Sequence, residues 1–314
     1  MRKSILATCI SAVIVYIFLA CNSEAKKTET QSITPTAPEI KSVFVNGDSL
    51  HYIDIGKGEP VIFVHGTLDD YRLWQLQMDT FAKNYRVIAY SRRYAYPNKR
   101  VPNDSADYSV AIHAKDLAEF IKALDLGPAH LVGHSYGAYA ALLTTKDHPE
   151  LVRSLMLGEP PVMPLLQNVP GGDTILNNFM KKALEPAAAA FRSGDDEKAV
   201  SVFIAGVVGD TSLYASFPKE VKDQIKGNIL ELKGAALGGN PFPMITCNDL
   251  KNIKTPTLIM TGERSVILFK AINNELDKCL PNKEKVTLAN ATHGLEMENP
   301  VDFNKAVLAF IDKH

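Results

Sequence analysis

Residues 130–138 read His130-Leu131-Val132-Gly133-His134-Ser135-Tyr136-Gly137-Ala138, an apolar run followed at once by Gly-x-Ser-x-Gly. The run before Gly133 has the composition of a buried strand and the residues from Ala138 open a helix, so Ser135 stands at a strand-to-helix turn. A turn that tight forces the serine backbone into strain, and a side chain at either glycine would collide with neighbouring elements. The hydroxyl is thereby held at the carboxyl end of a sheet, where the first helical N–H groups favour negative charge. Ser135 is the candidate nucleophile.

Outward from this turn the strands recur. Pro60-Val61-Ile62-Phe63-Val64-His65 is continuously apolar, as expected where helices cover both faces of a parallel sheet. Similar runs stand at 86–90, 130–134 and 153–157, and again at 256–260 and 285–288. A hairpin precedes them, with strands at 42–45 and 50–55 around the turn Asn46-Gly47-Asp48. Between the strands lie amphipathic segments, the clearest over 110–126, with Ile112, Leu117, Phe120, Ile121 and Leu124 on one face. Strand alternating with helix predicts a doubly wound, mostly parallel, eight-stranded α/β sheet. From Pro161 to about Thr246 the rhythm gives way to helical segments such as 187–191 and 199–208. That block predicts a helical cap (161–246) inserted into a core formed by 40–160 and 247–314, with helices at 268–280 and 302–312 closing the chain.

Two further loops carry chemistry. His65-Gly66-Thr67-Leu68 ends the third strand. Acyl transfer needs two preset donors for the developing oxyanion, and the N–H groups of Tyr136 and Thr67 are the expected pair. His65 reads as a structural residue shaping that loop rather than as a base. Ala289-Asn290-Ala291-Thr292-His293-Gly294-Leu295 follows the last strand. An imidazole there can reach over the turn and take the proton from Ser135, which makes His293 the candidate general base.

With the Ser135 turn, the His65-Gly66 loop and the late His293 in register, the chain resembles the α/β-hydrolase superfamily over about residues 40–314. The runs His65-Gly66-Thr67-Leu68-Asp69-Asp70-Tyr71-Arg72 and Ser91-Arg92-Arg93-Tyr94 are similar to those of a bacterial subgroup of hydrolases. The resemblance implies hydrolysis of a small ester, lactone or related acyl substrate through an acyl-enzyme, with no cofactor and no metal. Epoxide hydrolases and dehalogenases of this superfamily carry Asp at the turn, and Ser135 argues against both. Two other readings are a cofactor-free perhydrolase or haloperoxidase-like enzyme, and a binding protein that has lost catalysis.

The acid is where the chain departs from the superfamily. Many relatives carry Asp three residues after the Gly that ends the seventh strand, but Gly262-Glu263-Arg264-Ser265 places a serine there. Others carry the acid after the sixth strand, where Leu157-Gly158-Glu159 offers a carboxylate. Adjacent strand ends lie only ~5 Å apart, so the longer Glu side chain can approach the same imidazole. Glu159 is therefore the expected acid and Glu263 the alternative, while a dyad with Glu159 as a pocket residue remains a third arrangement. Ser91-Arg92-Arg93-Tyr94 stands where relatives have Asp-x-Arg-Gly, a change expected to alter loop packing. Leu68, Trp74, Tyr94 and Tyr136, together with the cap, are the pocket candidates.

The formal charge of -1 and the lack of a Lys/Arg cluster argue against nucleic acid as a partner and for a small, weakly charged substrate. Arg2 and Lys3, the apolar run from Ile5 to Leu19 and the small Ala20 read as a signal peptide over 1–20. Phe18-Leu19-Ala20-Cys21 resembles a bacterial lipobox, which makes Cys21 the expected lipidation site. Residues 22–39, rich in Ser, Thr, Lys, Glu and Pro, would form a disordered tether. The expected location is exported and lipid-anchored, facing the periplasm or exterior. Cys247 and Cys279 could there form a disulfide or remain two buried thiols.

Overall fold

A computed structural model of the chain describes residues 38–314, apart from Lys99, Asp104 and Gly239. The signal segment, Cys21 and nearly all of the expected tether lie outside the described residues. Eight strands form one sheet: β1 (Lys41–Val45), β2 (Asp48–Gly56), β3 (Pro60–Val64), β4 (Arg86–Tyr90), β5 (Ala129–His134), β6 (Val152–Gly158), β7 (Thr257–Gly262) and β8 (Lys283–Leu288). Their order is β1-β2-β4-β3-β5-β6-β7-β8. The hairpin β1/β2 and the β2/β4 pair are antiparallel, and every pairing from β4 to β8 is parallel. The order reverses around β3, which brings the turns after β3 and β5 side by side at the carboxyl ends of the strands, where ligands of such sheets bind.

The side-chain alternation of the strands builds two cores. Ile62 and Val64 of β3 pack on one face and Val61 and Phe63 on the other. The first face is covered by α2 (Val110–Ala123), by α3 (Ser135–Asp147) and by α11, which runs from Ile267 to Cys279. The second is covered by α1 (Gln75–Phe81) and α13 (Pro300–Ile311). Each large side chain fully buried this way, Phe63 and Phe81 among them, contributes about 1.5–3 kcal/mol. Burial on both faces explains why the parallel strands read as unbroken apolar runs rather than as alternation.

Between β6 and β7 every element of the described residues is helical. A 3-10 turn (Met163–Asn168) leads to α4 (Gly172–Phe179), a π-helical turn (Met180–Leu184), α5 (Glu185–Arg192), α6 (Asp196–Val208), α7 (Leu213–Ser216), α8 (Lys219–Lys226) and α9 (Ile229–Leu237). The short α10 (Cys247–Lys251) then returns to the sheet, and α12 (Leu295–Glu298) follows the loop after β8. Residues 38–314 form one compact unit, with the segment between β6 and β7 folded onto it. Cys247 at the start of α10 and Cys279 at the end of α11 are joined by a disulfide with 5.1 Å between their Cα atoms. No described helix is long and apolar enough to cross a membrane.

Candidate active site

Ser135 is the first residue of α3, three residues earlier than the sequence pattern predicts for the helix, and its φ is +50°. A non-glycine residue in the left-handed region costs about 1–3 kcal/mol, which the surrounding packing must offset. The two flanking glycines show why the turn can be so sharp. A Cβ on Gly133 would lie 2.5 Å from the Ala138 Cα, and one on Gly137 would lie 2.3 Å from the carbonyl oxygens of Val64 and His65. The turn is thus wedged between α3 and the end of β3. Tyr136, second in the helix, has no intrahelical acceptor for its N–H, which leaves that group free to bind an anion at the site.

His293 sits in the loop between β8 and α12, lines the same cavity as Ser135, and is 5% exposed. Its Nδ1 lies 2.7 Å from Oε2 of Glu159, which immediately follows β6 and has no exposed surface. The other oxygen of that carboxylate accepts from the Gly262 N–H at 2.8 Å and from the Ser265 hydroxyl. Glu263, the alternative acid, is exposed and instead accepts from the Asn290 N–H at 2.8 Å. Two further contacts hold His293, one on its ring and one on its backbone. Phe269 stacks on the ring at 4.0 Å between centroids, and the His293 carbonyl accepts from His134 Nε2 at 2.8 Å. With Nδ1 engaged by Glu159, Nε2 is the ring nitrogen left for another partner.

The loop after β3 lies against the turn: a Cβ on Gly66 would fall 3.2 Å from the Ser135 Cβ. His65 does not face the cavity. Its Nδ1 donates to the Gly66 carbonyl at 2.8 Å and its Nε2 accepts from the Arg92 N–H at 2.9 Å. Burial, with the Arg92 guanidinium beside it, pushes its pKa down to about 3, so it stays a neutral brace. Thr67 and Leu68 line the cavity next to Ser135. Its volume is about 540 Å3, and much of its wall is apolar and contributed by α6, α7, α8 and the link between the last two, including Phe203, Val207, Phe217 and Ile225.

Two pocket candidates, Trp74 and Tyr94, lie away from the cavity that holds Ser135. Trp74, the last residue of the 3-10 turn Tyr71–Trp74 before α1, has no exposed surface and packs between Phe63 and Phe303 in the core under the sheet. Tyr94 does not line the cavity with Ser135; its ring packs on Tyr108 and its hydroxyl donates to the Asp107 carbonyl at 2.7 Å. The Tyr136 side chain is likewise turned away, donating to the Tyr108 carbonyl at 2.8 Å, so its contribution to the site is its backbone.

Several residues of the site were given no role by the sequence. Ser265, which marks the missing aspartate, donates to the carboxylate supplied by the neighbouring strand. Asp69 lines the cavity, and the Gly66 Cβ position lies 3.4 Å from its Oδ2. Burial and the adjacent Asp70 push its pKa up to about 7. Behind the turn, Glu296 has no exposed surface, and burial raises its carboxyl well above the usual range. It lies 3.4 Å from Nδ1 of His134, whose own pKa burial drives well down. Among the described residues there is no cluster of side chains suited to a metal ion.

The sequence profile of the α/β hydrolase fold family matches residues 59–300, and the chain belongs to that family. A bifunctional epoxide hydrolase 2 of Sus scrofa is 21% identical over 301 residues, covering 85% of this chain and 54% of the relative. The chain thus spans about half the length of the curated relatives it matches. Among solved structures, a carboxylesterase of Bacillus subtilis superposes with a TM-score of 0.69 at 20% identity, covering 89% of this chain and 93% of the other. A hydrolase from Pseudomonas aeruginosa PA01 superposes with a TM-score of 0.71 at 20% identity, covering 88% and 99%. At that identity the structural likeness speaks for the fold, and the chemistry has to be argued from the side chains.

Proposed function

We propose that the chain is a serine hydrolase that cleaves a small ester, lactone or related acyl compound through an acyl-enzyme. Ser135 attacks the carbonyl, and His293 takes its proton and later returns it to the leaving oxygen. Glu159 holds the imidazole in the required tautomer and balances its charge. The N–H groups of Thr67 and Tyr136 receive the oxyanion. One observation carries the reading: a strained serine and an imidazole backed by a buried carboxylate open onto the same cavity at the carboxyl ends of the strands. The curated relatives include epoxide hydrolases, but an epoxide-opening mechanism on this fold needs a carboxylate at the turn, and position 135 is a serine. The apolar wall given by α6 to α8 suits an uncharged acyl or alkoxy group of moderate length.

A fluorophosphonate probe should label the purified protein and fail to label Ser135→Ala, with p-nitrophenyl butyrate turnover lost in parallel. Equal labelling of the two proteins would remove the proposal. Glu159 against His293 supports catalysis over a binding role without turnover. Perhydrolysis would use the same side chains and is separated by its requirement for peroxide. The pattern over residues 1–21 supports an exported, lipid-anchored protein, a proposal that Cys21→Ser tests through loss of incorporated fatty acid. A Cys247–Cys279 bridge fits an oxidising compartment.

A further inference from the structure

Arg92, in the loop after β4, is 2% exposed and points toward the turn after β3. Its Nε donates to the His65 carbonyl at 2.9 Å and its Nη2 to the Gly66 carbonyl at 2.8 Å. Its backbone N–H donates to His65 Nε2, so Arg92 holds both the two peptide carbonyls before Thr67 and the imidazole beside them. The guanidinium also stands 5.4 Å from the centre of the Tyr136 ring. A buried guanidinium needs a counter-charge close at hand. Glu231 of α9, in the helical segment between β6 and β7, supplies it: Arg92 Nη2 donates to its Oε1 at 2.8 Å, and Nη1 to its Oε2. The Thr67 hydroxyl donates to the same Oε1 at 3.1 Å, and His113 Nε2 lies 2.8 Å from Oε2. Burial opposes the charge on Glu231, yet Arg92 and His113 beside it hold the carboxyl well below the usual carboxylate range.

We propose that Glu231 and Arg92 are positioning residues for the oxyanion hole: the cap-borne carboxylate fixes Arg92 and the Thr67 hydroxyl, and through them aims the Thr67 N–H at the reacting carbonyl. This rests on the serine-hydrolase reading above. Neither side chain lines the cavity, so neither contributes ordinary substrate binding. A donor displaced by a fraction of an ångström weakens contact with the transition state far more than with the ground state. The helical segment therefore does more than roof the cavity, because the donor geometry is complete only with α9 in place.

The test compares the parent with Glu231→Gln, Thr67→Val and the double variant Arg92→Leu/Glu231→Leu. The double variant leaves no unpaired buried charge and stays informative if Glu231→Gln fails to fold. Folding is checked by circular dichroism, and kcat and KM are measured with p-nitrophenyl butyrate. Inhibition by a trifluoromethyl ketone reads the tetrahedral state directly. In the folded variants kcat should fall about 10- to 100-fold with KM within about 2-fold, and the ketone should weaken by a similar factor. An active parent whose folded Glu231→Gln and double variants keep kcat and ketone affinity within about 2-fold overturns the positioning role and leaves the serine-hydrolase reading standing. A parent that neither turns over the ester nor labels at Ser135 overturns that reading, and this inference falls with it.

Discussion

Nδ1 of His293 and Oε2 of Glu159 stand 2.7 Å apart although 134 residues separate them in the chain. The pairing crosses from the end of β6 to the loop after β8, passing over the end of β7. It is possible because the glutamate is long, is itself at a φ of +48°, and is steadied by the Gly262 N–H and the Ser265 hydroxyl. The end of β7, with Ser265 in place of an aspartate, thus holds the acid that comes from β6.

Glu159→Gln should therefore lower kcat on p-nitrophenyl butyrate by about 10²- to 10⁴-fold, because the neutral amide neither balances the imidazolium nor enforces the tautomer. Glu263→Gln should stay within about 2-fold of the parent. Loss of turnover in the second variant with retention in the first would reverse the assignment of the acid.

Ser265→Ala removes one donor from a carboxylate with no exposed surface. Hydrogen bonds to charged groups are each worth about 1.5–3 kcal/mol, so a loss of that order in urea unfolding is expected. The accompanying drop in kcat should be smaller than that of Glu159→Gln. A variant as stable and as active as the parent would show that the Gly262 N–H suffices.

Asp69 gives a pH dependence with a definite sign. Its carboxyl has a pKa of 3.8 as a free side chain and about 7 in the fold, so between those values the folded state holds the extra proton. Its contribution to stability is greatest below about pH 4, falls as pH rises toward 7, and is flat beyond. The buried His65 and His134, held neutral, act in the opposite direction near pH 6, so the informative quantity is the difference between proteins. Asp69→Asn should gain stability relative to the parent on going from pH 5 to pH 8, read from urea midpoints at both. A constant difference would mean that Asp69 titrates alike in both states.

The Cys247–Cys279 bridge closes a loop of 32 residues. Chain-entropy reasoning gives about 3–4 kcal/mol for a loop of that length. Cys247→Ser/Cys279→Ala should melt several degrees lower in a calorimeter than the oxidised parent. Insensitivity of the parent's melting temperature to reductant would count against the bridge.

Val207 lies on α6 and lines the cavity beside Phe203. Val207→Trp should raise KM for p-nitrophenyl octanoate about 10-fold or more while leaving the acetate nearly unchanged, since only the longer chain needs that volume. Equal effects on both esters would place the acyl group elsewhere.

Residues 130–138 by themselves determined that a strand meets a helix at Ser135, and the spacing of the other apolar runs determined the parallel sheet, because both are local periodicities written in consecutive residues. The loops of Thr67 and His293 were legible for the same reason: each follows a strand at the end of the sheet where Ser135 stands. Which acid faces His293 was legible only as a preference for Glu159 over Glu263, since the ends of β6 and β7 lie side by side and the choice waits on the rotamers and the register between β6, β7 and β8. Nor could patterning show that Trp74 and Tyr94 turn into packed layers while Asp69 opens on the cavity. The link from Arg92 to Glu231 was equally invisible, for two charges that pair across 139 residues carry no period. Tertiary packing decided these points, because a buried charge or an aromatic ring takes its role from what surrounds it rather than from its neighbours in sequence.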